Sequence, residues 1–87
     1  MYIHIGGDVS LLKKNLVAIF DMDNTTISKH TREFLKLAED DGVLFNVSEE
    51  LPRTFVIEAS EKGKIKVYLS PVSSATLLKR AEETGIE

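Results

Sequence analysis

None of the 87 residues is cysteine, so neither a disulfide framework nor a thiolate metal site is available to this chain. Histidine is nearly as scarce: His4 and His30 lie far apart in sequence, so no transition-metal cluster is expected and no metal or other cofactor is assigned. Long hydrophobic runs are missing too. The longest, Leu16-Val17-Ala18-Ile19-Phe20, falls far short of a bilayer span, and Met1-Tyr2-Ile3-His4 lacks the basic-then-apolar order of a signal peptide. The cytoplasm is the expected location, with no membrane partner. Positive charge is not in surplus: 11 Lys and Arg against 14 Asp and Glu give a net charge of −3, so only a local basic patch can attract nucleic acid. No internal repeat, linker or low-complexity segment interrupts the chain.

What is present is the balance of an ordinary globular domain, with 43% hydrophobic and 29% charged residues. Residues 1–87 are read as one domain. At this size about 60% of the unfolded surface can be buried, a core that association would supplement. Tyr2–Ile5 and Val9–Leu11 flank Gly6-Gly7-Asp8 and predict a β-hairpin. After Lys13-Lys14-Asn15, the unbroken apolarity of Leu16–Phe20 predicts a central strand covered on both faces. Ile27, Thr31, Phe34, Leu35 and Ala38 then recur at helical spacing, with Ser28 as N-cap and Gly42 just past the end, which predicts a helix of about 13 residues.

Alternation around Phe45, Phe55 and Val67 predicts three further strands. The loop Glu49-Glu50-Leu51-Pro52 separates the first two, and the hairpin-sized turn Ser60–Lys64 separates the last two. A capping region at Ser70–Ser74 opens a short last helix carrying Leu77, Leu78 and Ala81. The expected fold is α+β: a mainly antiparallel sheet of five or six short strands, one long helix and a short C-terminal helix. Lys62, Lys64 and Lys66 alternate along the hairpin and blunt a sheet edge.

Leu16–Phe20 followed by Asp21-Met22-Asp23-Asn24-Thr25 resembles the first motif of haloacid-dehalogenase-type phosphatases. There an apolar strand delivers a nucleophilic carboxylate beside a general acid/base, and Mg²⁺ neutralises the phosphate. That chemistry also needs further carboxylates, a phosphate-holding Lys and a parallel sheet whose strand ends converge. Each parallel step requires a crossover of a dozen or more residues, and after Asp21 the chain has room for one at most. Asp21, Asp23, Asn24 and Thr25 are therefore read as a polar strand-to-helix turn. No catalytic residue and no small-molecule substrate is assigned.

A second likeness runs from end to end. It is carried by Met1-Tyr2-Ile3-His4-Ile5-Gly6-Gly7-Asp8, by Ala18-Ile19-Phe20-Asp21, by Leu51-Pro52-Arg53-Thr54-Phe55-Val56 and by Lys66–Ala81, which includes Tyr68-Leu69-Ser70-Pro71-Val72-Ser73-Ser74. These segments resemble the bacterial extracellular matrix regulator family (RemA/RemB-like), nearer its RemB branch. The resemblance implies a non-enzymatic regulator of matrix and biofilm gene expression that assembles into a ring-like homo-oligomer. In the RemA branch, arginines spread around the assembly bind DNA. Here the arginine pair of that branch falls near Leu51-Pro52, leaving Arg53, and its other arginine falls near Asn15, beside Lys13 and Lys14. Lys13, Lys14 and Arg53 are thus the nucleic-acid-binding candidates. The alternatives are a protein-only assembly or adaptor module and, more remotely, a minimal Mg²⁺-dependent phosphatase.

Overall fold

Gly6 and Gly7 both take positive φ, 123° and 53°, and turn β1 (Tyr2–Gly6) back onto β2 (Val9–Leu12) as an antiparallel hairpin. A Cβ on Gly7 would collide with the Val47 carbonyl, so the hairpin tip approaches the body of the fold as only glycine permits. The computed structural model describes residues 1–22 and 28–83. Along the hairpin, Ile3, Ile5 and Leu11 are buried while Tyr2, His4 and Ser10 are exposed. A ribbon with one apolar face must lie flat on another layer. That is the reason the strands form two sheets, one of two strands and one of four, where the sequence predicts a single sheet of five or six.

The four-stranded sheet runs in the order β3 (Leu16–Asp21), β5 (Thr54–Ala59), β6 (Ile65–Ser70), β4 (Leu44–Asn46). β3 pairs antiparallel with β5 and β5 with β6, but β4 lies parallel to β6. β3 and β4 therefore point the same way from opposite edges. The helix between them, α1 (Lys29–Asp40), is a crossover over the sheet face. β3 is thus an edge strand and not the central one. Its continuous apolarity does not mark two covered faces, since Val17 and Phe20 remain exposed.

Alternate residues of the sheet feed two cores. Val56, Ile19 and Tyr68 meet Ile3, Ile5 and Leu11 of the hairpin and Leu77 of α2 (Ser74–Glu83). On the other face, Phe55, Val67 and Leu69 meet Ala38 and Leu35 of α1. At 12 and 10 residues the helices are of similar length, not one long and one short. Ser28 Oγ accepts from the Thr31 N–H at 3.1 Å and starts α1; Gly42, at φ 74°, ends it. Ser73 caps α2 in the same way, accepting from the Thr76 N–H at 3.2 Å. Among the described residues, no helix is long and apolar enough to cross a membrane.

One polar junction ties the layers together. The Ser70 hydroxyl, fully buried, donates to the Ile5 carbonyl and accepts from the Val72 N–H at 3.0 Å. Beside it, the buried Thr54 hydroxyl donates to the Val72 carbonyl at 2.7 Å.

Candidate nucleic-acid interface

The antiparallel register of β3 on β5 places the start of β3 opposite Glu58 and its end, Asp21, opposite Thr54. Lys13 and Lys14, in a 3₁₀ turn just before β3, therefore stand at the end of the sheet where β5 turns into β6. The Lys14 ammonium reaches Glu61 of that turn at 3.3 Å. The turn is tight: the Ser60 N–H donates to the Lys64 carbonyl at 2.9 Å, and the Lys64 N–H donates to Ser60 Oγ at 3.2 Å. Lys62 and Lys64 belong to this same turn, at the same end of the sheet as Lys14. They are exposed, as is Lys14, and Lys13 is half-buried. An open cavity of about 510 Å³ lined by Met1, Leu12, Lys13 and Lys14 adjoins them.

Arg53 does not join this cluster. Its carbonyl accepts from the Met22 N–H at 2.8 Å and its own N–H donates to the Ser70 carbonyl at 2.8 Å, which fixes it at the opposite end of β5. Six residues of strand separate the two ends, roughly 20 Å at the rise of a β-strand. Of the three sequence candidates, two share a surface and the third lies elsewhere. The lysines that share this end with Lys13 and Lys14 are Lys62 and Lys64, which sequence reasoning places along a sheet edge; β5 and β6 are instead the two inner strands of the four-stranded sheet. The signal that identifies these lysines is the register: once β3 pairs antiparallel with β5, the β5–β6 turn must fall beside the entry to β3.

The Lys14–Glu61 pair is exposed on both sides, and such pairs contribute little, about 0–1 kcal/mol. It therefore orients Lys14 without withdrawing it from a competing phosphate. The acidic end of α1 limits the patch, because Asp41 shares a cleft with Ile65 on the other side of the hairpin. The arrangement offers a few convergent point charges and no arginine fork, which suits phosphate contact more than base recognition.

Asp21 ends an edge strand whose one strand neighbour, β5, is antiparallel. It does not stand at the carboxyl end of a parallel sheet, where ligand crevices form. Asp23, Asn24 and Thr25 lie outside the described residues. Among the described residues, no group of three or more His, Asp or Glu side chains is placed to hold a metal ion. His4 instead bonds the Gly7 carbonyl through Nε2 at 2.8 Å within its own hairpin.

The family described as extracellular matrix regulatory protein A-like, RemA-like, matches residues 2–81. Extracellular matrix regulatory protein B of Bacillus subtilis (strain 168) is 35% identical over 82 residues, covering 94% of this chain and 91% of that protein. The match begins with the first strand and runs into the last helix, so it takes in the hairpin, both cores and the lysine-bearing turns. The chain belongs to the RemA-like family of extracellular matrix regulatory proteins.

Proposed function

We propose that residues 1–87 form one regulatory domain that acts in the cytoplasm, without catalysis, on the transcription of extracellular matrix and biofilm genes. In this reading it works as a ring-like homo-oligomer that binds DNA multivalently. One observation supports the DNA-binding part: on a chain of net charge −3, the turns that carry Lys13, Lys14, Lys62 and Lys64 lie at one end of the sheet, with Glu61 between them paired to Lys14. Family membership supports the regulatory part.

A single subunit with about four phosphate contacts binds weakly, with log affinity falling by about 3.6 per decade of salt. Several linked subunits share one ordering cost and add their counterion release, so a small patch suffices in an assembly. A gel-shift titration at two salt concentrations, paired with the mass of the free protein in solution, tests both parts. The expected result is an oligomer whose DNA affinity falls steeply with salt and weakens when Lys14 and Lys64 become alanine. An oligomer with no salt-sensitive DNA affinity favours the second reading, a protein-only adaptor. The exposed Leu51 and the uncovered apolar surface beside α1 recommend that alternative.

A further inference from the structure

Where α1 crosses the sheet it packs chiefly over β6 and β4, and Phe34 reaches Phe55 of β5 at 6.4 Å between ring centroids. Phe20 stays 45% exposed there, and Phe34 and Leu37 of α1 are exposed as well. Phe20, Phe34, Phe55 and Ile57 line a cleft of about 270 Å³ whose polar lining, among the described residues, is His30 and Thr31. Small-molecule sites are larger, about 300–1,000 Å³, and carry several convergent polar groups. This cleft fits one or two aliphatic side chains.

The chain also carries a side chain of that kind with no place in its own fold. Leu51 is 87% exposed, the most exposed of the large hydrophobic residues described. Its loop is nevertheless ordered: the Val47 N–H donates to the Leu69 carbonyl at 3.1 Å, the Glu50 N–H to Ser48 Oγ at 3.0 Å, and the Arg53 N–H to the Ser70 carbonyl at 2.8 Å. Pro52 further restricts the residue before it to extended backbone. A knob held this way loses little freedom on docking. The charges match too. Glu49 and Glu50 precede the knob and are exposed, while Lys29 and His30 stand in the first turn of α1, at the positive end of the helix dipole, with His30 Nδ1 3.8 Å from Glu33.

We propose that Leu51 of one copy seats in the Phe20–Phe34–Phe55 cleft of the next, with Glu49 and Glu50 facing Lys29 and His30. The proposal rests on the oligomeric reading above and specifies its contact. Knob and cleft are different patches, which permits a head-to-tail contact, the kind that closes into a ring when the rotation allows. Leu51 precedes Arg53 and β5, at the end of the sheet away from Lys13, Lys14, Lys62 and Lys64, so the lysines stay clear of the joint.

Because the chain has no cysteine, introduced thiols report the joint without background. Full-length Leu51→Cys mixed with Thr31→Cys is expected to form a disulfide-linked pair on mild oxidation. Leu51→Cys mixed with Leu78→Cys, on the exposed side of α2, is expected not to. Leu51→Glu is expected to lower the association constant roughly tenfold or more in sedimentation, with the circular dichroism of the fold unchanged. A wild-type oligomer whose mass Leu51→Glu leaves unchanged, and which gives no selective 51–31 link, overturns the joint and spares the oligomeric reading. A monomeric wild-type chain overturns both. Leu51 protected only by a different protein overturns the second copy as occupant.

Discussion

Replacing Ser70 with alanine removes one oxygen from the junction of hairpin, sheet and C-terminal loop. That hydroxyl donates to the Ile5 carbonyl and accepts from the Val72 N–H at 3.0 Å, and Ser70 is fully buried. Alanine leaves both backbone groups without this partner. A buried polar group left unpaired costs about 1–3 kcal/mol; the part-buried Val72 N–H falls at the low end, about 1 kcal/mol, so the two together come to roughly 2–4 kcal/mol. The total stability of a chain of 87 residues is about 4–13 kcal/mol at 0.05–0.15 kcal/mol per residue. The loss is a large share of that. With a urea slope of about 1–1.5 kcal/mol/M for a small domain, the midpoint is expected to fall by about 2 M. Both proteins are compared at one protomer concentration, because association links apparent stability to concentration. Thr54→Val is the control: it removes only a donor to the Val72 carbonyl and is expected to cost about 1 kcal/mol. If Ser70→Ala shifts the midpoint no further than Thr54→Val does, the hairpin is not tied to the sheet through this hydroxyl, and the reasoning fails.

Gly7→Ala forces a Cβ onto the Val47 carbonyl at a positive-φ position; the expected loss is above about 1 kcal/mol, read as a lower thermal midpoint. Burial, then the charge of Glu58 and its hydrogen bond, hold the Tyr68 phenol above its ordinary value of 10.0. The folded chain therefore keeps this proton at a pH where the unfolded chain has lost it. The associated stability is complete below the unfolded value and is lost as pH rises through the folded one. Tyr68→Phe is expected to flatten the fall of thermal midpoint across that alkaline window; an unchanged slope refutes the link. Glu61→Gln removes the carboxylate that faces Lys14. DNA affinity is expected to rise, with the log–log salt slope steeper by up to about 0.9 for one more cation in play, as read in the gel shift.

Local signals carried much of the fold. Gly6-Gly7 between alternating apolar residues, Ser28 before the helical period and Gly42 after it each act within a few residues, and the hairpin and α1 form where those residues predict. What was not legible depends on distant partners. Leu16–Phe20 reads as doubly buried because an unbroken apolar run does not distinguish a central strand from an edge strand that leaves apolar side chains such as Val17 and Phe20 exposed. β4 reads as one more antiparallel strand because nothing in Leu44–Asn46 records that α1 carries the chain across the whole sheet before it pairs. The site divides the same way. Lys13 and Lys14 were readable as basic neighbours, but Lys14 and Glu61 are 47 residues apart, and only the β3–β5 register brings the Lys62–Lys64 turn to them. Arg53 was separated from them by that register. For Asp21, the same residue types suit a turn as well as a nucleophile, and the antiparallel neighbour is what departs from the parallel sheet of the phosphatase motif.

Placing the lysines at one end of the sheet and the Leu51 loop at the other makes DNA contact and self-association separable. If the two surfaces are distinct, Lys14→Ala with Lys64→Ala weakens DNA binding while the solution mass stays that of the wild type. Leu51→Glu should act on both, because it leaves each subunit's lysines intact but dissolves the array that adds their weak contacts. For a patch of about four phosphates, the single-subunit salt slope of about −3.6 is then all that remains, and the assembly's steeper slope is lost. Sedimentation and gel shift on the same samples distinguish the cases. An unchanged slope in a dissociated Leu51→Glu chain means that one subunit already makes every contact, which refutes multivalency as the source of affinity. A mass lowered by the lysine pair means that the basic end is itself a subunit joint.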